Sequence, residues 1–171
     1  MRKIFYPKLA GSNIKKNYKT YIPYIITCII TISMYYIMRS LSLNDGISSL
    51  IGDASITYML ALGCRVIAVF AVIFLFYTNS FLTKRRKKEF GLFNILGMEK
   101  KHLSRVILYE TVYIALGSMV MGLLLGVVFD KLMYLSIMKL MGYDVPLGFY
   151  VSWEAMFDAV KLFGIIFLLL F

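Results

Sequence analysis

Residues 58–88 read YMLALGCRVIAVFAVIFLFYTNSFLTKRRKK: a long apolar run carrying one charge, Arg65, stops against five consecutive basic residues, Lys84–Lys88. About 20 apolar residues in helical form cross the roughly 30 Å of bilayer hydrocarbon, so Tyr58–Leu82 predicts a transmembrane helix. A block of Lys and Arg beside such a helix predicts a cytoplasmic flank. Arg65, about two turns in, reads as a side chain snorkelling to the outer interface, with a lipid-phosphate or substrate contact as its functional alternative.

The rest of the chain follows the same pattern. Of 171 residues 60% are hydrophobic, with mean hydropathy +0.77 and a formal charge of +10. Soluble domains hold about 45–50% apolar residues, and the excess here lies in long runs. Basic residues cluster beside those runs, which argues against nucleic-acid binding. Cys28 and Cys64 sit in or beside apolar runs, away from other Cys or His, so neither a disulfide framework nor a metal site is expected.

Four spans are predicted, at about 21–38, 58–82, 106–129 and 152–171, in an all-α polytopic bundle without a sizeable soluble domain. Residues 1–20 form a basic N-terminal segment, read as a short interfacial helix. The polar stretches around Asn44–Gly46 and Gly142–Gly148 read as turns. The last apolar run has no charge after it, and the chain is expected to be an N-terminal piece of a longer protein. The N-terminus carries six basic residues and the 83–105 loop eight, against Arg39, Lys131 and Lys139 in the remaining connections. That asymmetry puts the N-terminus and the 83–105 loop in the cytoplasm.

Signs of catalysis are missing: no phosphate-binding G-x-x-x-x-G-K motif occurs, and His102 stands alone in a basic segment. Glu154 and Asp158 suit the dipole at a helix start, with Lys161 the partner expected for Asp158. Glu110, an acid one turn inside the third span, is expected to reach water or the Lys100–Arg105 basic set, with a coupling role as its alternative. Ser118, Gly122 and Gly126 align small side chains along one helix face, suited to close packing or to a sliding helix pair. In the 83–105 loop, Arg85 and Glu89 are four apart and Phe90, Leu92, Phe93 and Leu96 recur at helical spacing. The second span therefore continues as a helix to a cap at Gly97, with the next helix starting from Met98. Lys84, Arg85, Arg86, Lys87 and Lys88 account for topology. An apolar patch projecting beyond them predicts a docked protein surface.

The run KKEFGLFNILGMEKKHLSRV, with Arg86 ahead of it and Glu89, Phe90, Gly91, Leu92, Leu96, Gly97, Lys100 and Lys101 within it, resembles the signature of FtsX-like/MacB-type ABC transporter permeases. The N-terminal KLAGSNIKKNYKTYIPYIITCIITISMYY is similar to the bacitracin-resistance-type (BceB-like) branch of Gram-positive bacteria. The resemblance covers essentially the whole chain. It implies a multi-pass cell-membrane permease, not itself an enzyme, whose cytoplasmic ABC ATPase, as a dimer, binds the ATP and Mg; this chain would hold no cofactor. It further implies about ten spans and a large extracellular domain in the whole protein, with antimicrobial-peptide resistance by export or target release. A peptide antibiotic or lipid–peptide complex and a membrane sensor histidine kinase are the other partners it suggests. Glu89–Phe93, Leu96, Gly97, Lys100 and Lys101 would then contact the ATPase. The alternatives are an FtsX-like or lipoprotein-release-type lever acting on an extracellular partner, and a non-transport adaptor of a sensor kinase.

Overall fold

The computed structural model describes residues 5–44, 54–95, 100–140 and 151–170, all but a few of them helical. Among the described residues five helices follow in order: α1 (Phe5–Lys16), α2 (Tyr18–Ser42), α3 (Ala54–Ile95), α4 (Lys100–Leu140) and α5 (Trp153–Leu169). Of the predicted turns, the first from residue 45 on and all of 142–148 lie outside the described residues, as do Leu96, Gly97 and Met98.

Within α2, α3 and α4, the stretches Tyr18–Ser42, Thr57–Arg86 and Ser104–Leu140 are long and apolar enough to cross a membrane. The further helix, α5, has 17 residues, about 25 Å at 1.5 Å per residue. Its start is set by Ser152, whose Oγ accepts from the Ala155 amide at 3.3 Å, with Glu154 in the first turn favouring the dipole. The helices outrun the predicted spans at several ends, most of all in α3 and α4. Hydropathy marks where lipid would lie, whereas a helix continues for as long as its residues tolerate helical geometry.

α2 is the centre of the bundle and packs on α3, α4 and α5, while α3 and α4 barely touch each other. The reason is visible in its buried stripe, Tyr21, Tyr24, Cys28, Ile32 and Tyr36, which recurs every three or four residues. Ala71, Leu75 and Leu82 of α3, Ile114 of α4 and Phe163, Ile166 and Phe167 of α5 close around it. On α4 the facing positions are small. A Cβ on Gly122 would lie 2.8 Å from the Ile32 Cβ and 3.1 Å from the Ile29 carbonyl oxygen. One on Gly126 would lie 2.9 Å from Tyr36 Cδ1. Only glycine lets the two backbones approach this closely. Ser118, one turn earlier, is buried on the same face.

The outward faces of α3 and α4 are lined by exposed Val66, Val69, Phe70 and Ile73, and by Leu116, Val120, Leu124 and Val128. Such continuous apolar exposure suits lipid or further membrane helices, not water.

Candidate functional site

α3 crosses the apolar zone and does not stop at the basic block. It is one helix of 42 residues, about 63 Å long, and it carries Lys84–Lys88 and the segment to Ile95 without a break. Lys84 and Arg85 are exposed, and the Arg85 guanidinium lies 4.7 Å from the centroid of the Phe81 ring. Glu89, Phe90, Gly91, Leu92 and Phe93 are all helical; Gly91 is exposed, with nothing within 4 Å of a Cβ placed on it. Lys100 and Lys101 open α4. The side chains of Lys87, Lys88, Glu89, Phe90, Leu92, Phe93, Lys100 and Lys101 lie outside the described residues, and so does the Arg85–Glu89 pairing.

Arg86 departs from the exposed Lys84 and Arg85 before it. Only 5% of its side chain is exposed, and its guanidinium grips the Glu110 carboxylate through both terminal nitrogens, Nη1 to Oε2 and Nη2 to Oε1, the latter at 3.1 Å. Glu110, expected to reach water or the Lys100–Arg105 set, is instead 2% exposed. The Tyr21 hydroxyl donates to Oε2 at 2.9 Å and Asn13 Nδ2 donates to Oε1 at 3.1 Å. The Arg86 guanidinium also lies 5.2 Å from the centroid of the Tyr21 ring. One carboxylate thus ties α1, α2, α3 and α4 together at the point where α3 leaves the apolar zone. A buried carboxylate is tolerable with this many donors, because each replaces a lost water.

The opposite end of α2 has its own ties. Ser40 Oγ donates to Asp130 Oδ2 of α4 at 2.8 Å. Arg39 Nε and Nη2 reach Asp158 Oδ2 of α5 at 2.9 and 2.8 Å. Asp158 therefore pairs with Arg39 and not with Lys161: helix spacing puts Lys161 within reach, but the guanidinium approaching from α2 supplies two aligned donors.

In the sequence Arg86 and Glu110 fall in separate roles, and neither Asn13 nor Tyr21 is marked as a partner for them. The pair had a signal. Arg86 lies about two and a half turns before the end of α3, and Glu110 about three turns after the start of α4. In a helical hairpin such positions come level, and an acid inside a span calls for a partner. Asn13 and Tyr21 had no comparable mark, since only the folded placement of α1 and α2 brings them to the carboxylate.

The sequence profile of the FtsX-like permease C-terminal family matches residues 61–171, well over half of the chain. The chain belongs to the FtsX-like permease family. It is an integral membrane protein with an all-helical fold. Among its relatives, the bacitracin export permease protein BceB of Bacillus subtilis (strain 168) is 31% identical over 165 residues, covering 95% of this chain and 25% of that protein. The ABC transporter permease YvcS of the same organism is 29% identical over 161 residues, 93% of this chain and 25% of its own. The BceB protein of Halalkalibacterium halodurans is 27% identical over 159 residues, 93% and 24% respectively. The chain thus spans about a quarter of the length of these curated relatives. The family match begins near the start of α3 and so includes the signature segment and the whole of α4 and α5.

Proposed function

We propose that this FtsX-like permease chain is part of the transmembrane subunit of an ABC transporter, driven by a separate cytoplasmic ATPase that docks on residues 89–101. The observation that carries the reading is the continuity of α3, which links the apolar zone to the signature segment as one rigid element. Its ten residues from Arg86 to Ile95 are about 14 Å of helix beyond the clasp, enough to reach a protein bound beneath the bilayer. ATP and Mg belong to the ATPase dimer, whose closure would push on this segment; the Arg86–Glu110 clasp would pass the displacement to α1, α2 and α4.

The positive flank sets the orientation, with the N-terminus and the 83–105 loop in the cytoplasm and the Arg39–Asp158 end outside. The names of the BceB relatives support resistance to a bacitracin-like peptide as the substrate class, by export or by release from its lipid target. A membrane sensor histidine kinase that reads the same movement is the further partner consistent with that branch.

Gly91→Asp tests the docking. Because the position is exposed and open, the substitution leaves helix packing intact. Expected is loss of co-purification with the ATPase at unchanged membrane insertion; unchanged co-purification refutes the assignment. Bacitracin sensitivity of a deletion strain tests the substrate separately. A strain no more sensitive than its parent removes the peptide assignment and leaves the docking in place.

A further inference from the structure

At the end of the bundle opposite Lys84–Lys88, Arg39, Arg65 and Lys161 come from α2, α3 and α5 and converge on one cavity of about 450 Å³. Tyr35 and Asp158 share its lining, and the remaining wall is alanine, cysteine and leucine. Arg39 is committed to Asp158, while Arg65 and Lys161 have no carboxylate partner among the described residues. The cavity thus carries three cations against one acid.

Depth makes this imbalance consequential. Arg65 in α3 and Lys161 in α5 each lie about 12 Å of helix rise beyond Thr57 and Trp153. Cations held at that depth beside apolar walls are costly unless an anion meets them. Independent snorkelling would relieve each one, but it gives no reason for three helices to bring their cations to one hollow. A carboxylate is satisfied by one guanidinium, as Asp158 already shows. A phosphate has more acceptor oxygens and suits a guanidinium fork with an added ammonium.

We propose that the Arg39–Arg65–Lys161 cavity binds the phosphate of an anionic lipid headgroup, one per chain, with Arg65 and Lys161 as its direct ligands. The site needs no ATPase contact, so its failure and the failure of the docking assignment are separable.

The purified permease in phosphatidylcholine nanodiscs is titrated with phosphatidylglycerol, and bound lipid is counted by native mass spectrometry. Inorganic phosphate is tested as competitor in a second arm. One retained phosphatidylglycerol per chain is expected. The Arg65→Gln/Lys161→Gln variant should weaken it by about tenfold or more, since hydrogen bonds to charged groups are its main hold. Both side chains are exposed, so the variant keeps its packing, and size-exclusion behaviour checks this. Asp158→Asn removes the one competing negative charge and should bind at least as tightly as the parent. Competition by inorganic phosphate identifies the phosphate group itself as the ligand; its failure to compete, with lipid still retained, assigns the lipid as the source. No preference over phosphatidylcholine, or equal binding by the double variant, overturns the proposal.

Discussion

Glu110 is the residue on which the base of the bundle turns, because its two oxygens receive Arg86, Tyr21 and Asn13 from three other helices. Removing one partner of a buried pair leaves the other charge uncompensated, which costs about 3–5 kcal/mol. Arg86→Met should therefore lower the thermal midpoint of the detergent-purified protein sharply. Arg86→Met/Glu110→Leu, which removes both charges, should recover much of that loss. Tyr21→Phe deletes one hydrogen bond to a charged acceptor and should cost about 1.5–3 kcal/mol. Thermal unfolding of the four proteins side by side checks the order. A double variant as unstable as the single one would deny that the clasp is a matched pair.

At the level of elements, α2 and α4 meet through glycine, and α3 outruns its span. Both follow from residue types that stand out in the sequence: the four-residue recurrence of Ser118, Gly122 and Gly126, and the helical spacing that continues past Lys88. The partner of the small-residue face was not legible, since the recurrence says that something packs closely without saying what. Ile32 and Tyr36 fill that place only because α2 is the central helix. The clasp was hidden for a related reason: five adjacent basic residues look alike in sequence, and only the helical turn decides that Arg86 faces inward while Lys84 and Arg85 face out. Gly122→Val should force α2 and α4 apart, at about 1–3 kcal/mol for overpacking. Gly117→Ala, where a Cβ meets nothing within 4 Å, should be neutral or mildly stabilising. Thermal unfolding separates the two, and equal effects would contradict the close approach at Gly122. Continuity of α3 is tested by Thr83→Pro, which removes one helical hydrogen bond and clashes with the preceding turn. With the proposed ATPase partner still bound, its stimulation by the permease should fall; full stimulation would show that no rigid connection is needed.

For the whole molecule, the pattern of apolar runs and basic flanks settles an all-helical membrane bundle, and the family match agrees with it. What the pattern leaves open is what the basic end touches. The native thiols, Cys28 and Cys64, are both buried, which gives a low background for introduced cysteines. The most direct measurement is disulfide or short-linker crosslinking in membranes between Gly91→Cys and cysteines placed on the ATPase surface, with Leu132→Cys, exposed near the far end of α4, as control. A crosslink at position 91 that changes in yield with ATP, and none at position 132, is the predicted result; no crosslink at 91, or equal crosslinking at both, contradicts an ATPase docked on the end of α3.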